Sequence, residues 1–164
     1  ALLWGTDASM DYATVKDRLL RSRDFIPNMA RKVLSSGRLN VFNAIHGIYP
    51  PSPEPSESDW RDLALPGPIE AEHPYKDNTR QEWTFEAPAN AKFVRIVFEK
   101  VELEDGYDFL KVYDANGVEV DSMSGRGENV ASFYVPGNKM VLRFTTDSSE
   151  TRWGFKAAKL QVVY

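Results

Sequence analysis

The sequence predicts a composite α+β fold, in which a short helical segment precedes an antiparallel all-β sandwich. Three observations lead to this prediction. Apolar residues recur at helical spacing in residues 1–49, residues 50–59 are prolines, serines and acidic residues, and apolar and polar residues alternate from about Trp83 to the C-terminus. The predicted domains are therefore the helical segment at 1–49, a linker at 50–59 and a β-sandwich at 60–164.

The composition is that of a globular chain without cysteine. Apolar residues make up 42% of its 164 residues, enough for a core, and the 27% of charged residues argues against extensive disorder. The absence of cysteine excludes disulfides, cysteine-bound zinc and thiol catalysis. No apolar run approaches the roughly 18 residues of a transmembrane helix, so we expect no membrane partner.

The charge is divided unevenly along the chain, whose net charge is -4. Residues 1–49 contain seven Lys or Arg and four Asp or Glu, a balance of +3, so residues 50–164 carry -7. Nucleic-acid binding depends on clustered cationic side chains that displace counterions from phosphate. The acidic second part has no such cluster, which excludes nucleic acid as a partner.

Two short helices are predicted in the first segment. Asp7 or Ser9 is expected to cap the first, whose apolar positions are Tyr12, Val15, Leu19 and Leu20. The second covers residues 39–45 and is ended by Gly47 and Pro50. Helices this short do not bury their apolar faces alone, so we expect the segment to pack on another domain.

Residues 1–49 resemble the end of a subtilisin-like serine protease domain. The resemblance lies in Ala1-Leu2-Leu3-Trp4, the helix at 12–20 and the run Gly37-Arg38-Leu39-Asn40-Val41-Phe42-Asn43-Ala44-Ile45. It implies that the chain is the C-terminal part of a bacterial subtilase, a secreted serine endopeptidase (hydrolase) acting in proteolysis. The catalytic triad of that family would lie upstream of Ala1, so the chain itself is expected to hold no catalytic residue.

The second part alternates as β-strands do. Val94, Ile96 and Phe98 share one face, and Met140, Leu142 and Phe144 share another, with Gly-, Asn- and Pro-containing turns between the runs. After Phe98 the apolar positions move to Val101 and Leu103, which breaks the alternation. This shift predicts a β-bulge near Glu99-Lys100 that redirects the residues after it.

The order of motifs in residues 70–164 resembles a CUB domain, an antiparallel β-sandwich of jelly-roll type. The motifs are Phe98-x-x-Val101-x-Leu103-Glu104, Tyr107-Asp108-Phe109-Leu110-Lys111-Val112-Tyr113-Asp114, Gly137-Asn138-Lys139-Met140-Val141-Leu142-Arg143-Phe144, Asp147-Ser148-Ser149 and Trp153-Gly154-Phe155. Glu72 to Asn78 is similar to segments that open CUB-like domains at the ends of bacterial secreted proteases. The chain departs from animal CUB domains in having no cysteines and a short interval between Glu104 and Asp108.

The CUB resemblance implies a calcium site. The positions that match the calcium ligands of many CUB domains are Glu104, Asp108 and Asp147, with a carbonyl near Ser148 or Ser149 as a further ligand. A hard cation such as Ca²⁺ takes six to eight oxygen ligands from carboxylates, carbonyls and water. The alternative is that Asp108 and Asp147 only cap turns while Glu104 is solvated.

Partner binding is expected at the same end of the sandwich. In related domains a calcium site orders loops that capture a basic side chain, so the resemblance implies a protein partner or substrate bearing Lys or Arg, with the upstream protease domain as another partner. Tyr107 and Trp153 are candidate contacts, and Trp153 is alternatively a packed core or edge aromatic. The implied location is secreted or on the cell surface.

The function expected from sequence is thus a non-catalytic, calcium-binding module at the C-terminus of a secreted protease. Two alternatives stay open. One is a carbohydrate-binding module in which Trp83, Trp153 and Tyr113 form an exposed platform. The other is an appendage for maturation or export without a ligand.

Overall fold

The computed structural model describes residues 2–26, 29, 33–51 and 54–164. The chain divides into two compact units, Ala1–Pro55 and Ser56–Tyr164. Residues 52 and 53 of the predicted linker lie outside the described residues, and Ser56 to Asp59 belong to the second unit.

The first unit consists of short elements around a small core. Its helices are α1 (Leu2–Thr6), α2 (Tyr12–Arg21) and α3 (Val41–His46), and its two-residue strands β1 (Asp24–Phe25) and β2 (Gly37–Arg38) pair with each other. The buried apolar residues of this core are Leu3, Val15 and Ala44.

The caps of these helices correct one prediction. Asp11, not Asp7 or Ser9, caps α2, because its Oδ1 accepts a hydrogen bond from the Thr14 amide at 2.7 Å. Asp7 instead accepts hydrogen bonds from Ser9 in the preceding turn. Gly47 ends α3 in the left-handed conformation, as its sequence position predicted.

The second unit holds two antiparallel sheets. Its strands are β3 (Arg61–Leu63), β4 (Arg80–Glu86), β5 (Phe93–Glu102), β6 (Phe109–Tyr113), β7 (Glu119–Met123), β8 (Arg126–Ala131), β9 (Val135–Pro136), β10 (Lys139–Thr145) and β11 (Gly154–Val163). One sheet has the order β4-β10-β6-β7, and the other has the order β3-β11-β5-β8 with β9 also paired to β5. The predicted antiparallel β-sandwich is confirmed.

The core lies between these sheets because alternate residues of strands such as β5, β6 and β10 are apolar and buried. Phe144 of β10 contacts Phe155 of β11 edge-on, with their ring centroids 5.2 Å apart. Trp83 of β4 packs on the same Phe155 ring at 5.5 Å. Such aromatic pairs add favourable edge-to-face geometry to the burial of apolar area.

The bulge predicted near Glu99-Lys100 is confirmed. In the pairing of β5 with β11, Phe98 lies opposite Ala157 and Lys100 lies opposite Lys156, so Glu99 is the extra residue of β5. Residues 98 and 101 would lie on opposite faces of a regular strand. Because of the bulge, Val101 and Leu103 point into the core, as Phe98 does. The strand therefore enters the following loop with Glu104 turned towards the end of the sandwich.

The N-terminal end of the second unit is anchored by a buried arginine. Arg95 of β5 donates two hydrogen bonds to the Glu57 carboxylate, at 2.7 and 3.0 Å, and one to Gln161 at 2.8 Å. Its guanidinium lies 4.2 Å from the centre of the Trp60 ring. Trp60, itself buried, fixes the segment that leads into β3.

Replacing this tryptophan tests the anchor. Trp60→Ala removes a buried aromatic ring and its contact with Arg95, so we expect a loss of about 3 kcal/mol in the free energy of unfolding of the second unit. Urea denaturation measures this loss. Val118→Ala, at an exposed turn position, serves as the control and is expected to change stability by less than about 0.5 kcal/mol; equal effects of the two variants would contradict the anchoring role.

Candidate metal centre

Three carboxylates predicted from sequence meet at one end of the sandwich. Glu104 follows the end of β5, Asp108 immediately precedes β6, and Asp147 follows β10 by two residues. Strands β6 and β10 are neighbours, and Phe109 lies opposite Thr145 in their ladder. The register of this ladder therefore brings Asp147 to Asp108 across 39 residues of sequence.

The three side chains are close enough to share one cation. One carboxylate oxygen from each lies within 4.8 Å of the others. Asp108 is fully buried, whereas Glu104 and Asp147 are half-buried. The Asp147 amide donates a hydrogen bond to Asp108 Oδ1 at 2.9 Å, which fixes the two loops against each other.

Tyr75 holds the centre of this cluster, and sequence reasoning missed it. Its hydroxyl donates to Asp108 Oδ2 and accepts a hydrogen bond from the Glu104 amide at 3.1 Å. Burial, together with the hydrogen bond to Asp108, raises the pKa of Tyr75 to about 12. The residue lies in a loop without periodicity, so nothing in the spacing of the sequence marked it.

A compact turn joins Glu104 to Asp108 and explains why the short interval suffices. The Asp108 amide donates to the Glu104 carbonyl at 3.2 Å. Ser124, between β7 and β8, ties the turn to this neighbouring connection, because its hydroxyl donates to the Glu104 carbonyl at 3.1 Å and accepts from the Gly106 amide at 2.7 Å. Gly106 has φ of +80°, a conformation that favours glycine.

One oxygen of the Glu104 carboxylate has no hydrogen-bond donor to stabilise it in the described part of the protein. Its Oε2 is buried, and among the described residues it has no hydrogen-bond partner. Burial raises the pKa of Glu104, and the negative charges of Asp147, Glu150 and Asp108 raise it further, while Arg152 partly offsets them. A buried polar atom without a partner is costly, and a bound cation removes that cost.

The remaining predicted site residues lie around this cluster. Ser148 follows Asp147 in an exposed turn, and Tyr107 is 63% exposed in the turn between Glu104 and Asp108. Trp153 is half-buried, with its ring stacked on His73 at 3.9 Å and the Lys100 ammonium 4.4 Å from its centre.

The structure does not bring Trp83, Trp153 and Tyr113 together as a sugar-binding platform. Val141 of β10 lies between Thr84 and Tyr113, so Tyr113 is on the outer face, whereas Trp83 lies opposite Leu142 on the inner face. Trp153 lies outside the strands, at the loop before β11. Alternation along the strands separates these rings, and the predicted platform is wrong.

Residues 56–162 match the family described as "Uncharacterized protein E02H4.4 C-terminal domain". The chain belongs to this family. The matched range coincides closely with the second structural unit and contains the whole carboxylate cluster.

Relatives of the chain are animal proteins. It is 33% identical over 90 residues to the Homo sapiens "Zinc finger ZZ-type and EF-hand domain-containing protein 1", covering 53% of this chain and 3% of that protein. It is 29% identical to "Exoskeleton protein RP43" of Riftia pachyptila, covering 68% and 30%. It is 30% identical to "Protein SpAN" of Strongylocentrotus purpuratus, covering 69% and 19%. The chain thus spans less than a third of each of these relatives.

A solved structure supports the CUB-like fold. The "CUB1-EGF-CUB2 domain of HUMAN MASP-1/3" aligns with a TM-score of 0.51 and 22% identity over 59% of this chain and 41% of that one. Identity at this level shows the fold alone. None of the described helices combines the length and the apolar character that a membrane-spanning helix requires.

The assignment to a bacterial subtilisin-like protease is wrong. The matching family and the animal relatives overturn it, and with it the serine endopeptidase parent and the upstream protease domain as a partner. The resemblance to a protease domain rested on residues 1–49, which lie outside the matched range 56–162, whereas residues 72–78, also likened to bacterial secreted proteases, lie inside it. Short amphipathic helices with glycine and asparagine caps recur in many folds, so the pattern was not specific to that family.

Removing the Tyr75 hydroxyl tests its role at the cluster. Tyr75→Phe leaves the buried Asp108 carboxylate without one donor and the Glu104 amide without its acceptor, so we expect a loss of about 1–3 kcal/mol in unfolding free energy. Chemical denaturation in calcium-free buffer measures it. Tyr107→Phe, at the exposed tyrosine nearby, is the control and is expected to be neutral; a neutral Tyr75→Phe would contradict the role.

The raised pKa of Glu104 predicts how stability depends on pH without calcium. The folded state binds the proton of the Glu104 carboxyl more tightly than the unfolded chain does. The resulting contribution to the free energy of unfolding is therefore fully present below the ordinary glutamate pKa, and it is lost as pH rises through the raised pKa of the folded state. In EDTA we expect the melting temperature of the unmodified protein to fall as pH rises through this interval. The Glu104→Gln variant has no carboxyl to ionise at this position, so we expect it to lack this fall and to be more stable than the unmodified protein at pH 7. Thermal melts of both proteins at several pH values check this; a less stable Glu104→Gln at pH 7 would disprove it.

Proposed function

We propose that the second unit is a calcium-binding CUB-like module of an extracellular protein. Glu104, Asp108 and Asp147 would hold the ion through carboxylate oxygens, with a carbonyl near Ser148 or Ser149 and water completing its shell. The observation that carries the proposal is the buried Glu104 Oε2, which has no hydrogen-bond partner among the described residues, in a carboxylate grouped with those of Asp108 and Asp147.

The balance of charge favours a divalent cation over protons. The cluster carries three carboxylates, and Arg152, the cation that acts on Glu104, is already paired with Glu150 at 2.9 Å. All the donors are oxygens, the ligands that Ca²⁺ prefers, and nitrogen or sulfur ligands are not among them. The ion would convert mutual repulsion of the three groups into attraction to one centre.

The bound ion would order loops at the end of the sandwich. The Glu104–Asp108 turn connects β5 to β6, and the turn after Asp147 connects β10 to β11, so each runs from one sheet to the other. Calcium would join these two connections through their side chains. Tyr107 lies between two of the ligands and is exposed, so we propose it as a contact for a macromolecular ligand. We propose that Trp153 contributes less to this contact than Tyr107, because His73 and Lys100 already pack on the Trp153 ring.

An extracellular setting is part of the proposal. One relative is named an exoskeleton protein, and extracellular modules bind calcium in the range of about 10⁻⁴ to 10⁻³ M. The proposed domain boundaries keep the sandwich at residues 60–164, preceded by the short Ser56–Asp59 segment that Arg95 anchors.

Calcium titration tests this function. Because the ion would bind the folded state alone, we expect an increase in unfolding free energy of about 2.7 kcal/mol at one hundred times the dissociation constant. Thermal melts in EDTA and in calcium measure the stabilisation, and isothermal titration calorimetry measures binding directly.

Matched variants assign the effect to the cluster. We expect Glu104→Gln and Asp147→Asn to lose the response to calcium, and Asp105→Asn, which alters an acidic neighbour outside the cluster, to keep it. Absence of heat and of any melting shift in the unmodified protein would refute calcium binding, as would an unchanged response in both cluster variants.

A further inference from the structure

The outer edge of β4 is open and its backbone is ready to pair. Among the described strands, β10 is the only one that pairs with β4, along all seven residues and without a bulge. Hydrogen bonds flanking this ladder, from Thr146 to the Thr79 carbonyl and from Ala87 to the Asn138 carbonyl, show that odd-numbered residues face β10. The amides and carbonyls of residues 80, 82, 84 and 86 therefore point away from the sheet.

These outward-facing residues form a self-complementary set. When β4 pairs antiparallel with β4 of a second copy, a single register uses all four outward-facing residues (80, 82, 84 and 86). In that register the two-fold axis passes through Trp83. It places Arg80 opposite Glu86 and Glu82 opposite Thr84, each twice. All four pairs are of the hydrogen-bonded type, because both members of each pair direct their backbone groups outward.

The charges favour this register over its neighbours. Arg80 has no ion-pair partner among the described residues, and it would meet the Glu86 carboxylate of the second copy, which Lys139 of that copy also contacts at 3.5 Å. Moving the axis to residue 82 sets Glu82 opposite itself, and moving it to 84 sets Glu82 opposite Glu86. Like charges directly opposite each other destabilise an antiparallel pair, whereas opposite charges stabilise it.

The other side chains of the edge are compatible with the pairing. Glu82 would lie diagonally across from its own copy, and Arg143 already neutralises it at 2.8 Å. On the inner face the half-buried Trp83 would come next to Trp83 of the second copy, in a non-hydrogen-bonded pair with Cα atoms about 4.5 Å apart. That contact would cover the exposed part of each indole beside the core residue Phe155.

We infer that this protein forms a two-fold symmetric dimer through the β4 edge, with Arg80 and Glu86 as its specificity-determining ion pair. Two four-stranded sheets would then join into one continuous sheet of eight strands. A single strand from each copy makes a small interface of the transient class. The inference does not depend on calcium, because the pairing uses none of the three clustered carboxylates.

Charge reversal tests the ion pair in the full chain. Sedimentation equilibrium of the unmodified protein up to millimolar concentration is expected to show a monomer–dimer equilibrium, both in EDTA and in calcium. Arg80→Glu and Glu86→Arg each set like charges opposite one another twice, so each is expected to weaken self-association by about tenfold or more. Glu128→Arg, an exposed reversal on β8, is the control and should dimerise like the unmodified protein.

Mixing the two charge-reversal variants gives the sharpest result. A heterodimer of Arg80→Glu with Glu86→Arg sets opposite charges together at both pairs, so we expect association to return on mixing, and also in the double variant. Thr84→Pro removes an outward-facing amide without removing a bond to β10, and it is expected to be monomeric and folded by circular dichroism.

Three results would overturn the inference. They are an unmodified protein that stays monomeric at millimolar concentration, a dimer that Thr84→Pro and both reversals leave intact, and reversal variants that do not recover association when mixed. Amide hydrogen exchange gives an independent readout, because the Glu82 and Thr84 amides should become protected as concentration rises. Since dimerisation is measured with and without calcium, its failure is separate from a failure of calcium binding.

Discussion

The buried Asp108 carboxylate is the interaction on which the end of the sandwich depends. One of its oxygens accepts from the Tyr75 hydroxyl and the other from the Asp147 amide. Tyr75 also accepts from the Glu104 amide, so one carboxylate connects the segment before β4, the turn before β6 and the turn after β10. A fully buried charge is stable only when donors surround it, and these donors set the positions of the other two acids.

Within the described residues, hydrogen-bond donors stabilise only part of the carboxylate cluster. Asp108 has two donors, and Asp147 Oδ1 accepts from the Ser149 amide at 2.9 Å, but Glu104 Oε2 has no hydrogen-bond partner within the described residues. A structural role in capping turns accounts for Asp108 and Asp147 and leaves Glu104 unexplained. Burial and the neighbouring carboxylates raise the pKa of Glu104. Protonation of this carboxylate and binding of the proposed cation would each remove its uncompensated charge, so the two would compete.

Much of this fold follows from local pattern in the sequence. Alternation placed strands such as β5 and β10, and the shift from Phe98 to Val101 located the bulge at Glu99. Glu104 and Asp108 are close in sequence, and the motif order linked Asp147 to them. Tyr75 escaped prediction because a single long-range hydrogen bond from an aperiodic loop leaves no spacing to detect. The N-terminal helices were assigned to the wrong family because caps and helical spacing report local structure, which many unrelated proteins share.

The open edge of β4 connects the candidate site with the proposed assembly. Thr79, just before β4, bonds to Thr146, next to Asp147, so β4 starts at the carboxylate end of the sandwich. Antiparallel pairing of two β4 strands sets the start of one against the end of the other, and the two carboxylate clusters would lie at opposite ends of the joined sheet. Exposed edges in natural sheets commonly carry charges that oppose pairing. In β4 the charges are arranged so that one register satisfies them, which makes the edge selective for a second copy.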